Sequence, residues 1–570
     1  MSSNAALARL QTRPVTELAG LQELTLCDLS WIEELCSVRV DWEALLALQS
    51  LTISNCFNVT ALTTGIGVLV ALKHLTLVSL GALPRGIGEL AALERLKVAS
   101  LNWLRKVPDL SRLTSLQELT IEKCDELKLL RGISELAALK HLTLCSLGRL
   151  VEMPDLARLT SLQELTIEEC EELTLLPGIG ELAALKRLTL ASLHSLKKVP
   201  DLARLMMLQE LTISTCALKA LPDLARLTSL QELTISECTE LTALPRGIGE
   251  LKVLKRLTLA SLYHLEEVPD LARLTSLQEL TIEECDELTL LPGIGELAAL
   301  KRLTLVSLYV LKKVPDLSRL TSLQELTISE CEELMSLPIG IGELAALKQL
   351  SLDCNSLCNS LYRLDIPEMP NLARLTSLQE LTISACILGR LKLPERIVEL
   401  SALIKLHIQV PAADEAEAAL SFPVMCRALK AWPLTCLEDF KVRVGQVDFR
   451  LSNYWQQLGL PSEAATWSTA STLDFLRVQQ LKVAAFASGL QKRLGAASGV
   501  SMLNDQVLIP CVYACAKTHI YNICVYTYFT KYIPAYGTKC TCRTGEASAF
   551  NSDWQNPPPR GLAKRELWGI

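Results

Sequence analysis

Six histidines, closely spaced cysteines and regular rows of Glu and Arg are the groups in this chain that could do chemistry. The histidines are His74, His141, His194, His264, His407 and His519. None stands at metal-ligand spacing from another His, Cys or carboxylate on one helix, so neither a zinc centre nor a histidine acid–base pair has support. Cys354 and Cys358 in CNSLC, and Cys540 and Cys542, could be zinc half-sites; incidental cysteines are the simpler reading. No G-x-x-x-x-G-K-[ST] stretch occurs, so there is no phosphate cradle. A lone sequon, Asn58-Val59-Thr60, carries no meaning if the chain stays inside the cell. No catalytic residue, cofactor or metal is expected.

The Glu and Arg rows are different, because they come from a repeat. Residues 271–316 form a 46-residue cassette, and residues 156–201 repeat it with four differences. Each cassette holds two units, one with the strand Leu-Gln-Glu-Leu-Thr-Ile (B) and one with Leu-Lys-Arg-Leu-Thr-Leu (A). A leucine pattern with a period of about 20–30 residues marks a stacked solenoid. Units begin at Leu21, Leu48, Leu72, Leu93, Leu116, Leu139, Leu162, Leu185 and Leu208. They continue at Leu230, Leu254, Leu277, Leu300, Leu323, Leu347, Leu378 and Leu403, making 17. At about 4.8 Å per parallel strand the sheet would run on the order of 80 Å.

Alternation inside each strand sends Leu280 and Ile282 to the core and leaves Glu279 and Thr281 on a concave face. The second half, LPGIGELAAL, opens with a Pro-Gly turn and then spaces its leucines helically, which predicts a loop plus short helical or 3₁₀ turns on a convex face.

The outward rows then read as chemistry. B strands present Glu118, Glu164, Glu210, Glu232, Glu279, Glu325 and Glu380. A strands present Arg95, His141, Arg187, Arg256, Arg302 and Lys405 at the same position. The rows are either a charged ligand surface or a self-neutralising ladder, each pair contributing about 0–1 kcal/mol. The ladder is the simpler reading, since a surface that pairs with itself has little left for a partner. Between Leu208 and Leu230 an A unit is missing, so Glu210 and Glu232 become adjacent like charges, mildly destabilising or available to a basic partner.

Three of the four differences between the cassette copies fall in or just after the A strand: Ala191 against Val306, His194 against Tyr309, and Ser195 against Val310. The same column elsewhere holds Asn102 and Trp103, Gly148 and Arg149, and Tyr263 and His264. Exposed aromatics and Arg are the types that anchor interfaces. Trp103, Arg149, His194, Tyr263, His264 and Tyr309 are therefore candidate protein-binding residues, with Glu210 and Glu232 beside the missing unit. Neutral drift in a permissive loop would produce the same variation.

Composition narrows the compartment and the partner. Net charge is −7, which argues against nucleic acid or an anionic membrane held by bulk charge. The first residues hold no apolar signal core, no run is long enough to span a membrane, and no small-molecule substrate is implied. Of the 20 cysteines, Cys56, Cys124, Cys170, Cys216, Cys238, Cys285, Cys331 and Cys386 each stand three residues beyond the last apolar residue of a strand. A cysteine used once per turn is a buried packing element, which predicts reduced thiols in the cytosol or nucleus.

Four segments are expected: divergent capping repeats over 1–92, with Trp31 and Trp42 in a long connection; the regular solenoid over 93–410; a degenerate last repeat and helical cap over 411–500; and a Cys/Tyr-rich, poorly ordered tail over 501–570. CNSLCNSLYRLDIP interrupts the period after Leu347. PAADEAEAALSFPVMCRALKAW reads as helix-prone, Leu434, Leu437, Phe440 and Val442 as a closing unit, and 469–497 as an amphipathic helix covering an otherwise open sheet edge.

The units CDELTLLPGIGELAALKRLTL and CEELMSLPIGIGELAALKQLSL resemble the leucine-rich-repeat domain of plant intracellular immune receptors, over residues 20–410. The LP-x-x-IG-x-L half is equally similar to Ras-group-type intracellular repeat scaffolds. The nucleotide-binding module of the receptor class is not matched, nor is the extracellular plant type with its G-x-I-P units and paired cap cysteines. The resemblance implies an α/β repeat fold and non-enzymatic protein recognition, disease-resistance-like, with a general signalling scaffold for a small GTPase or phosphatase as the alternative. An enzyme would need its centre within 411–570.

Overall fold

A leucine at every second strand position, and again at each turn of the linker, can be buried only if successive units stack so that each covers the next. The computed structural model describes residues 20–27, 42–56, 65–81, 83–84, 86–353, 371–384, 400 and 402–407, and the backbone of 408–410, 439–444 and 447–450. All of these lie in one compact unit. The connection at Trp31, the sequon, the insertion with Cys354 and Cys358, the helix-prone segment, the amphipathic helix and the tail lie outside the described residues.

The strands run β1 (Glu23–Cys27), β2 (Ser50–Cys56), β3 (His74–Leu80), β4 (Arg95–Ala99), β5 (Glu118–Glu122) and β6 (His141–Cys145). Next come β7 (Glu164–Glu168), β8 (Arg187–Leu193), β9 (Glu210–Cys216), β10 (Glu232–Ser236), β11 (Arg256–Ala260) and β12 (Glu279–Glu283). The last are β13 (Arg302–Val306), β14 (Glu325–Ser329), β15 (Gln349–Asp353), β16 (Glu380–Ser384), β17 (Lys405–Val410), β18 (Asp439–Val444) and β19 (Val447–Arg450).

Each strand from β1 to β17 pairs with the next in parallel, residue for residue, as in Glu279↔Arg302, Leu280↔Leu303 and Thr281↔Thr304. All 17 expected units carry a strand, and the degenerate closing unit carries β18. The final strand is a difference: β19 turns back and pairs antiparallel, Val442↔Phe449, without any leucine spacing to announce it.

Strand leucines and linker leucines meet in one aliphatic core; Leu277, Leu280, Ile282, Leu288, Ile294 and Leu297 are all fully buried. Opposite the sheet the linkers form 3₁₀ turns, such as Ile179–Glu181 and Ile294–Glu296, and no α-helix occurs among the described residues. Two walls of short elements with leucine between them make a leucine-rich-repeat solenoid.

The turn out of each strand is the least expected local feature. Thirteen non-glycine residues have φ between 51° and 55°, one at the C-terminal end of each strand from β2 to β14: Ser146, Glu169, Ser261 and Glu284 among them. Left-handed backbone costs a residue with a Cβ about 1–2 kcal/mol. Hydrogen bonding offsets it: Ser146 N–H donates to the Glu168 carbonyl at 3.0 Å, and Glu169 N–H to the Ala191 carbonyl at 3.0 Å. The residue after this corner turns inward, which is why it is Leu in A units and Cys in B units. The thiols of Cys124, Cys170 and Cys285 each donate to the carbonyl two residues back, at 3.4 Å. Cysteine is thus small enough for the corner and satisfies it.

Candidate functional site

Parallel pairing without offset aligns the outward Glu and Arg rows on neighbouring strands, and they close on one another. Arg95 reaches Glu118 at 3.3 Å, His141 reaches Glu164 at 3.2 Å, and Arg187 also pairs with Glu164. Farther along, Arg256 bridges Glu232 at 2.7 Å and Glu279 at 2.8 Å, Arg302 bridges Glu279 and Glu325, and Lys405 reaches Glu380 at 2.5 Å. The Arg302 guanidinium, bonded to Glu325, holds that carboxyl below its ordinary range. The residue before each strand repeats the device with Lys on Gln: Lys140–Gln117, Lys255–Gln231 and Lys301–Gln278. On the opposite wall Arg158, Arg273 and Arg319 pair with Glu135, Glu250 and Glu296. The ladder reading describes these rows.

The missing A unit interrupts it. Glu210 on β9 lies in register with Glu232 on β10 and with Arg187 on β8. Glu232 has Arg256 and Arg187 has Glu164, so Glu210 forms no ion pair among the described residues.

The variable A-unit column lies just beyond the left-handed corners, along the edge where the strands end. Trp103 is 45 % exposed, Tyr263 39 % and Tyr309 37 %, and Arg149, His194 and His264 are exposed as well. Several are tied to the acidic residues that B units place in the same column. Arg149 meets Glu126 at 3.3 Å, His264 meets Glu287 at 3.0 Å, and the Tyr263 hydroxyl donates to Glu284 at 3.4 Å. Trp103 Nε1 donates to the Leu80 carbonyl at 2.8 Å, leaving the ring face outward.

Sequence reasoning missed a notch on this edge. Ordinary B units place two residues between the corner Cys and the next leucine, as in Cys170-Glu171-Glu172-Leu173; the β9 unit has one, in Cys216-Ala217-Leu218. Losing a bulky acidic pair opens a cavity of about 340 Å³ lined by His194, Thr215, Ala217, Glu237, Ser261 and Tyr263. The short link was visible in the sequence, but a one-residue deletion carries little signal until its neighbours are known.

The same break brings two corner cysteines onto adjacent strands. The hydrogen bond from Cys216 toward Cys238 pushes the Cys216 thiol up, with burial adding to the rise, and pulls Cys238 down against the effect of burial. Elsewhere at least one A unit separates each corner thiol from the next; burial raises Cys124 and Cys331 to about 11 and Cys170 and Cys285 to about 12.

No family model matches the chain, and no curated protein does. Solved structures do. A leucine-rich-repeat protein of Leptospira interrogans superposes with TM-score 0.50 at 23% identity, over 74% of this chain and 98% of its own. These are leucine-rich repeats. The functional domain of InlJ from Listeria monocytogenes, which includes a cysteine ladder, is similar at TM-score 0.43 and 19% identity, over 65% of this chain and 75% of its own. Toll in its Drosophila complex with Spatzle gives TM-score 0.40 at 15% identity, over 73% of this chain and 63% of that one. At these identities the likeness is one of fold.

Proposed function

We propose that the chain is a non-enzymatic protein-recognition array, read along the strand-end edge by Trp103, Arg149, His194, Tyr263, His264 and Tyr309. The observation that carries this reading is a contrast between rows. The strand-face, pre-strand and linker rows are consumed by their own ion pairs and hydrogen bonds, whereas the strand-end edge keeps aromatic ring surface exposed. Large rigid side chains in a polar surround are what protein interfaces use as anchors.

The partner on this reading is a protein rather than a nucleic acid, membrane or small molecule, in keeping with a chain of net charge −7. Buried corner thiols that donate to carbonyls support a reducing compartment, the cytoplasm or nucleus. The repeat pattern favours a disease-resistance-like role, with a small-GTPase or phosphatase scaffold as the outcome that partner identification would substitute.

The test is affinity capture with the full chain, identification of the partner, and titration of that purified partner against a Trp103→Ala/Arg149→Ala/Tyr309→Ala variant. We expect at least about tenfold weaker binding, or 1.4 kcal/mol. An identical Kd with an unchanged circular dichroism spectrum would remove this edge from recognition.

A further inference from the structure

The β9 unit departs from its neighbours at several places, all legible at residue level. It has lost the A unit that should precede β10, its Glu210 forms no ion pair among the described residues, and its corner link is a single Ala217. It also carries Met206 and Met207, 60 % and 51 % exposed, where the other B units have Thr-Ser.

From these features we infer that the notch at Ala217 is a binding site for a cationic side chain, arginine above all, presented by an extended segment of a partner protein that runs along β9. The cavity lies at the small end of ligand pockets, which span about 300–1,000 Å³. Its volume of about 340 Å³ suits one long side chain rather than a cofactor. His194 stands on one side and Tyr263 on the other, three strand spacings or roughly 14 Å apart. The Tyr263 ring is held in place by its hydroxyl bond to Glu284. On the notch's exposed lining, Glu237 takes a hydrogen bond from Thr215 Oγ1 at 3.1 Å on one carboxylate oxygen and has no ion pair among the described residues. A planar guanidinium satisfies both neighbours, stacking on the tyrosine face while its N–H groups reach the carboxylate.

Glu210 adds a second, independent point of charge complementarity. It begins β9, and Glu237 follows the end of β10 opposite Thr215, five positions farther along, so the two acidic points lie roughly 17 Å apart at about 3.3 Å per residue and one strand spacing. Six positions of an extended partner segment span about 20 Å, and that even spacing keeps both partner side chains on one face while the length of an arginine side chain takes up the difference. The matching ligand therefore carries basic residues six positions apart.

This inference rests on the chain being a protein-recognition array, but the two can fail separately. The probe is an end-capped, fluorescently labelled heptapeptide with arginine at its first and last positions and serine between, titrated against the full chain at low ionic strength by anisotropy. We expect saturable binding that weakens at least about tenfold in Glu237→Gln and in Tyr263→Leu, and severalfold in Glu210→Gln. Glu169→Gln and Glu330→Gln, the same corner position at unbroken junctions, should stay within about twofold of wild type. A wild-type chain that ignores the peptide, a Glu237→Gln variant that binds it unchanged, or equal losses in the Glu169 and Glu330 variants would each overturn the notch as the site. Those results would leave the edge reading intact as long as the Trp103/Arg149/Tyr309 variant still loses its natural partner.

Discussion

Single residues at the corners set how tightly the chain can turn between strand and linker. Gly178 and Gly148 make a controlled pair. Gly178 has φ +77°, and a Cβ there would fall on the Asp155 carboxylate and the Ala157 amide, whereas a Cβ on Gly148 meets nothing within 4 Å. Gly178→Ala should therefore cost more than about 2 kcal/mol in urea denaturation, and Gly148→Ala less than about 0.5 kcal/mol. The corner thiols give a second prediction. Their folded pKa values, about 11 for Cys124 and Cys331 and about 12 for Cys170 and Cys285, stand above the ordinary 9.0. Between these limits the unfolded chain has released protons that the folded chain retains, so the stability these thiols confer is intact below pH 9 and lost as pH rises toward 11–12. The slope is about 1.4 kcal/mol per pH unit for each thiol. Urea midpoints at pH 8 and pH 10 should fall accordingly, and a Cys285→Ala variant should lose its share of the slope. Of these features, the sequence displays the cysteines but hides the corners. Ser, Glu, Lys, Asn and Thr occupy the left-handed position, and only the hydrogen bonds of the next strand reveal why a non-glycine residue is tolerated there.

At the level of the strand, pairing without offset converts sequence alternation directly into charge alternation, which is why both the strands and their outward rows were readable from leucine spacing. What could not be read was which of two cations each acid would choose, because Glu210 has Arg187 within register and still goes without it. Arg256 is the cation on which the broken stretch depends, since it serves Glu232 and Glu279, and Glu232 lies in register with the unpaired Glu210. Arg256→Ala leaves three acids, on β9, β10 and β12, with no cation between them, whereas Arg302→Ala leaves two, on β12 and β14. Both residues are nearly half exposed, so each loss should be about 1 kcal/mol or less. We expect the Arg256 variant to lose more at low ionic strength, and the difference to vanish near about 1 M salt, where exposed charges are screened over about 3 Å. A difference that persists in high salt would place its origin in packing instead. The antiparallel β19 marks the other boundary of legibility: a strand of four residues outside the leucine period gives too little signal to find.

For the molecule as a whole, each unit contacts only its neighbours, so stability should add along the chain and tolerate removal of whole cassettes. Deleting 271–316 joins Asp270 to Leu317 and brings Arg256 beside Glu325, which keeps the alternation of charge and of linker type. Such a chain should fold with the wild-type circular dichroism signature per residue. Removing one unit rather than two should lower the urea midpoint further, because it creates a second junction of like units. The junction that already exists has a consequence of another kind. A polymer of near-identical cassettes offers every ligand many equivalent addresses, and a partner that read only the repeated rows could settle on any of them. The Ala217 link and its neighbours occur once among the described residues, and they supply an origin from which all other positions can be counted.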